Sequence, residues 1–248
     1  DKKPVCKEER EYRFYPGDKT ARLVDLQVTF TTIDGDVKFG DTKEGGIAAF
    51  RVNDQIIERE TYSVVDKSGA VLKMFDDKKE ADAFVLEDAS RKLVVRPKGV
   101  ITNAEGKTGM ADCWGKPSPW CDYSGTIDGQ GVHGVTVFDS PGNLRYPTTW
   151  HVRDYGLFAA NPFGLADFTG DRYFTNKEQN GDYTIKPGES LVFNYRVYVH
   201  RGDVKAANVA ERYADYINPP KVSWSDIKLN SKGVDAHKDI PGHEREKK

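Results

Sequence analysis

No apolar run in the chain extends beyond a few residues, so no helix of it could span a bilayer. Charge imbalance is equally scarce. Charged residues fill 31% of the 248 positions, yet the formal net charge is −2. That leaves no basic excess or stripe of the kind a nucleic-acid or membrane-surface partner needs, and neither partner is expected. Three cysteines are too few for a disulfide scaffold. Cys113 and Cys121 flank a turn-rich loop that could bring them together in an oxidising compartment. Two free thiols are the favoured alternative, and Cys6 is unpaired either way. The five histidines, His133, His151, His200, His237 and His243, are scattered, and no His/Cys spacing resembles a zinc site. A strand-turn-helix nucleophile elbow, a phosphate loop and internal repeats are all missing. Residues 1–5 carry no secretory apolar segment, which fits either a cytosolic chain or a mature form whose leader is gone. The second option, preferred here, places the protein in the periplasm or outside the cell.

What is present is strand pattern. Residues 21–33 alternate apolar and polar through Leu26, Val28 and Phe30, then turn at Asp34 and Gly35. Residues 47–52, 93–96, 132–138, 156–160 and 191–200 share that character, with Gly, Pro, Asn and Asp clusters between them. One convincing helix is predicted over residues 204–217, capped by Asp203, with Val209, Tyr213 and Ile217 on one face. Asn218, Pro219 and Pro220 stop it. Residues 54–91 are weakly patterned and look like an insertion of edge strands, or a short helix around residues 78–84. The expected fold is all-β: one antiparallel β-sandwich over residues 1–228 with a C-terminal α-helix. A polar tail, residues 229–248, is expected to be disordered.

Three polar segments stand out against this regular background. RYPTTWHVRDYGLFAANPFG (residues 145–164) packs Trp150, His151, Arg153 and Asp154 into five positions. An indole stacks on apolar ring faces, Arg and Asp give directional hydrogen bonds, and His carries a proton near neutral pH. These are parts of a site for a polar, ring-shaped ligand such as a sugar, although Trp150 also suits a core and His151 a satisfied, half-buried ring. GDTKEGG (40–46) sets Glu44 between glycines and beside Lys43, which could bias the carboxylate. WGKPSPWCDYSG (114–125) places two tryptophans on either side of two prolines, where they wedge into the core or form a stacking platform.

These runs, with VFDSPGN at 137–143, resemble in collinear order a bacterial family called "methane oxygenase PmoA-like", whose function is essentially unknown. The resemblance spans roughly residues 12–220. Membrane-bound copper chemistry does not follow from it, because transmembrane helices and copper-ligand spacing are missing. It implies instead a galactose-mutarotase-like β-supersandwich and a setting among carbohydrate-degrading genes. The family pattern also implies strands and a His-rich segment ahead of Arg22, so the chain is expected to be a shortened member or one whose first sheet is completed differently. The function expected is acid/base chemistry on a small sugar or glycoside (hydrolysis, elimination or epimerisation), with a non-catalytic glycan-binding module as the alternative. His151 and Glu44 are the predicted acid/base pair. Arg153 would hold a carboxylate or developing oxyanion, Asp154 or Asp122 would orient hydroxyls, and Trp120 and Trp150 would stack. Tyr123, Lys43 and Asn161 complete the predicted binding set. Neither metal nor organic cofactor is expected; a sugar-acid substrate would make Asp122, Asp139 and Asp154 the candidate Ca²⁺ ligands.

Overall fold

The strand-rich pattern folds into antiparallel sheets. The computed structural model describes residues 3–17, 19–169 and 178–219. The chain divides after Asn218 into two units, and every element below belongs to the first; the predicted tail, with His237 and His243, lies outside the described residues. The strands are β1 (Cys6–Phe14), β2 (Ala21–Thr32), β3 (Val37–Phe39), β4 (Ala48–Arg51), β5 (Tyr62–Val65), β6 (Val71–Phe75), β7 (Lys92–Val95), β8 (Val100–Asn103), β9 (Trp120–Ile127), β10 (Gly131–Asp139), β11 (Trp150–Val152), β12 (Leu157–Ala160), β13 (Tyr183–Ile185) and β14 (Ser190–Arg201). The helices are α1 (Lys78–Leu86), α2 (Met110–Cys113), α3 (Leu165–Phe168) and α4 (Val209–Ile217).

A six-stranded sheet, ordered β1-β2-β14-β10-β9-β8, is the frame. Its inner face follows from alternation: Leu26, Val28 and Phe30 of β2 are buried, with Leu191, Phe193 and Tyr195 of β14 beside them. Against that face packs the three-stranded sheet β11-β12-β4, through Trp150, Val152, Phe158 and Ala160. Burying each large apolar side chain contributes roughly 1.5–3 kcal/mol, so this shared layer is what makes a sandwich of the two sheets. The burial phase of β14 shifts along its length: beyond Tyr195 the sealed residues are Tyr198 and His200, on the outer face. There α4 lays Val209 and Tyr213 over Trp120, Phe138 and Tyr198.

Helix α4 starts later than its pattern predicts. Asp203 does accept from the backbone N–H groups of Lys205 and Ala206, at 3.0 and 2.9 Å. Asn208, however, takes a left-handed conformation (φ 51°), and residues 204–208 form turns instead of a first helical turn. Among the described residues three further α-helices join the single one expected. Helix α1 covers the segment where a short helix was one option, with Asp77 accepting from the N–H groups of Lys79 and Glu80. It packs on a separate sheet, β6-β5-β7, around Tyr62, Val64, Phe75 and Ala81, so the weakly patterned insertion is a small module with its own core. Helices α2 and α3 are single turns at loop corners. All three cysteines are free; Cys113 and Cys121 are buried, and burial pushes the Cys113 thiol up to about 12.

Candidate functional site

Strand β11 divides the residues of the richest motif between two sides. Trp150 points inward, fully buried, stacked on Phe158 at 5.5 Å with its indole N–H donating to the Ser118 carbonyl at 2.8 Å. His151 therefore points outward, in a row with Ala159 and Ala49 across the small sheet. Arg153, two residues on, donates from Nε to His151 Nε2 at 3.1 Å, and its guanidinium lies 5.4 Å from the Trp114 ring. Phe168 of α3 covers the imidazole at 6.0 Å. Burial and the Arg153 charge hold the His151 pKa below its ordinary value, while the Glu44 carboxylate and the Lys43 backbone oppose that shift. Glu44, Lys43, His151 and Arg153 are therefore within electrostatic reach of one another, although about a hundred residues separate the first two from the others.

The loop that delivers Glu44 is clamped from behind. The Asn161 amide donates to the carbonyls of Thr42 and Lys43, both at 2.9 Å, and its oxygen accepts from the Phe163 N–H at 2.8 Å. Asp167 accepts from the Lys43 N–H at 3.1 Å, and Thr42 Oγ1 from the Glu44 N–H at 3.1 Å. Gly46 passes so close to Ala159 that a Cβ would sit 3.2 Å from the alanine methyl. With its backbone pinned, the Glu44 side chain is 69% exposed, and Lys43 Nζ stands 3.7 Å from its carboxylate.

Tyr123 does the same for the turn that carries Arg153 and Asp154. Its buried hydroxyl donates to the Asp154 carbonyl at 3.0 Å and accepts from the Glu58 N–H at 2.7 Å, and burial raises its pKa. The Asp154 side chain is half-buried beside Glu58, whose carboxyl is raised by burial and by the Asp154 charge. Trp150, Tyr123 and Asn161, predicted to touch a ligand, are thus sealed wall and loop anchors. Asp122 is elsewhere altogether. On the outer face of the six-stranded sheet, fully buried, its Oδ1 lies 2.7 Å from Thr136 Oγ1 and 2.9 Å from His200 Nε2. Trp120 is on that same face, so the predicted set falls into two places. Asp122, Asp139 and Asp154 are not brought together as one ligand set: among the described residues no three His, Cys, Asp or Glu side chains gather as a metal ion requires.

Sequence reasoning passed over Glu58 and left Trp114 between a core wedge and a stacking platform. Trp114 was visible in its proline-rich run, and it now supplies a buried indole N–H with no hydrogen-bond partner beside Arg153. Glu58 carried no sequence signal, since its environment comes from a distant turn and from α2, whose Met110 N–H donates to it at 2.8 Å.

Among the described residues no helix is long and apolar enough to cross a membrane. No curated protein and no solved structure matches the chain. Residues 1–214 match a family of unknown function, DUF6807, and nothing in that match leads to the PmoA-like or mutarotase-like families. Covering most of the sequence, it shows that the chain belongs to DUF6807.

Proposed function

We propose that the protein takes a small sugar or glycoside bearing a carboxylate at the corner of Arg153, His151, Glu44 and Lys43, and acts on it by acid/base chemistry. One observation carries this reading. Arg153 is fixed through Nε on His151, while its two terminal nitrogens have no hydrogen-bond acceptor among the described residues. A guanidinium held by its stem presents a flat two-pronged donor that suits a carboxylate. Glu44, exposed and next to Lys43, is the group able to take a proton from carbon or water, and Arg153 would hold the charge that moves onto the ligand's oxygens. His151, kept neutral, positions the guanidinium and can accept a proton when the ligand draws Arg153 away. A periplasmic or extracellular setting belongs to the same proposal.

A binding module without turnover is the second reading. It is favoured by the engagement of His151 Nε2 with Arg153 and by the distance of Glu44 from any partner but Lys43. The experiment is a panel of uronates, aldonates and their glycosides, with binding and product formation followed by NMR. Arg153→Ala is expected to weaken acidic ligands by about tenfold or more. Glu44→Gln is expected to keep binding and abolish product. Binding without product in the wild type selects the second reading, and no binding of any acidic ligand ends both.

A further inference from the structure

The two edges of the six-stranded sheet are finished differently. Beyond β8 the chain turns back on itself: Thr102 bridges Thr108, the Asn103 N–H donates to the Lys107 carbonyl at 3.1 Å, and the Gly109 N–H to the Ile101 carbonyl at 2.8 Å. Beyond β1 no strand pairs among the described residues. Antiparallel alternation shows which backbone groups are left over there. The Val5 carbonyl accepts from the Ile33 N–H and the Tyr15 N–H donates to the Leu23 carbonyl, so the odd-numbered residues bond to β2. Cys6, Glu8, Arg10, Tyr12 and Phe14 therefore turn their N–H and C=O groups to the bare edge. A bare row of this kind is a template for another strand.

The side chains decide which strand fits. Eight of the nine residues of β1 are exposed, with Tyr12 at 52% and Phe14 at 74%. Its even-numbered side chains share the inner face with Leu26, Val28 and Phe30, and Lys7, Glu9, Glu11 and Arg13 form the outer row. A two-fold axis normal to the sheet keeps each row on its own face, so it passes between one residue of β1 and the same residue of a copy. Three centres near the middle of the strand keep it paired over most of its length: Glu9, Arg10 and Glu11. About Arg10, Lys7 meets Arg13 of the copy and Glu9 meets Glu11, all like charges. About Glu11, Glu9 meets Arg13 but Glu11 meets itself. About Glu9, Glu8 meets Arg10 in the backbone-bonded pairs and Lys7 meets Glu11 beside them, each twice over. Glu9 with its copy is then the single like-charge pair.

We infer that β1 is a docking strand for a second copy of this chain, the two six-stranded sheets joining edge to edge about Glu9. Within one copy the same charges pair two residues apart: Lys7 with Glu9 at 2.9 Å, Arg13 with Glu11 at 3.3 Å, and Arg10 with Glu8. Such exposed contacts hold little energy and are readily exchanged for cross-strand ones. With both bare edges used and β8 covered at the far side, growth of this sheet stops at two copies. The inference does not depend on the function proposed for the Arg153 corner.

The test is analytical ultracentrifugation of the full chain, which should show a monomer–dimer equilibrium with a Kd on the order of tens of micromolar. Arg10→Glu sets like charges at both symmetric positions and should weaken the dimer by about tenfold or more, with circular dichroism confirming the fold. Combining it with Glu8→Arg restores opposite charges and should return the Kd to within about threefold. Glu9→Gln removes the like-charge pair at the axis and should tighten the dimer. In a Cys6→Ser background, Glu9→Cys should cross-link under mild oxidant and Arg10→Cys should not, because only the residue on the axis meets its own copy. A chain that stays monomeric up to about 1 mM overturns the inference. A dimer that ignores Arg10→Glu, that the double change fails to restore, or that cross-links through position 10 in place of 9 overturns it as well.

Discussion

His151 and His200 are almost equally hidden, 3% and 2% exposed, yet they are built in opposite ways. His151 receives an N–H from a guanidinium, so its Nε2 acts as an acceptor and burial favours the neutral ring. His200 sits among acceptors: Asp122 Oδ1 lies 2.9 Å from one nitrogen and the Gly202 carbonyl 3.1 Å from the other. Its ring presses on Gly134, where a Cβ would come within 2.4 Å of His200 Cε1. Burial alone therefore says little about a histidine's task. The partner decides it: one ring carries a reaching cation, and the other locks a carboxylate into a sheet.

Removing the partner of each histidine is the sharpest way to break that comparison. Asp122→Ala leaves His200 buried without its carboxylate and is expected to cost about 3–5 kcal/mol. Arg153→Ala leaves a neutral ring and removes a half-buried cation, so about 1 kcal/mol or less is expected. Urea melts of the two variants measure the difference; equal losses would show that the two histidines are held alike.

A second, smaller effect concerns acid. Burial lifts the Asp139 carboxyl to about 6 from an unfolded value near 3.8, although Asn143 and the Thr148 N–H donate to it. Between those values the native chain holds a proton that the unfolded chain lacks, so this group adds stability as pH falls from about 6 towards 4. The contribution is on the order of 2–3 kcal/mol. His151 works the other way. Its native pKa lies below the unfolded 6.5, so the unfolded chain takes the proton first and stability is lost as pH drops through that window. Between pH 7 and 5, Asp139→Asn should lose the gain and His151→Gln should lose the penalty. Urea midpoints at the two pH values test it, and variants that follow the wild type in parallel would exclude both groups as the source.

The smallest effect tests whether Glu44 and His151 share a site. The Glu44 charge raises the His151 pKa, so Glu44→Gln should move the imidazole titration further down. NMR titration of the ring protons reads this directly, and an unmoved titration would separate the two residues.

Much of the frame was legible because period-two alternation is local: Leu26, Val28 and Phe30 declared β2, and residues 191–200 declared β14. Strand β9 was hidden because it is buried on both faces, so WCDYSGTI shows no alternation and its tryptophan and aspartate suggested a loop. β1 was hidden for the opposite reason, being exposed along almost its whole length. The site was half legible. His151, Arg153 and Glu44 were visible as unusual chemistry among strands. Which side of a sheet each neighbour faces depends on register, which put Asp122 and Trp120 on a different surface from His151. Tyr123 and Asn161 became anchors because the backbone groups they bind come from segments far away in the chain.

The small module β6-β5-β7 with α1 leaves the sandwich and returns through a narrow neck. There the Gly99 N–H donates to the Ile57 carbonyl at 2.8 Å, and Gly99 lies so close to Ile56 that a Cβ would be 1.7 Å from its carbonyl oxygen. Two chain ends already joined by a hydrogen bond need no long span between them. The segment is in effect a cassette, closed at its base and packed around a core of its own at Tyr62, Val64, Phe75 and Ala81. Gly99 and Gly125 are the pins of that base, facing glycines that both press on Ile56 where a side chain would not fit.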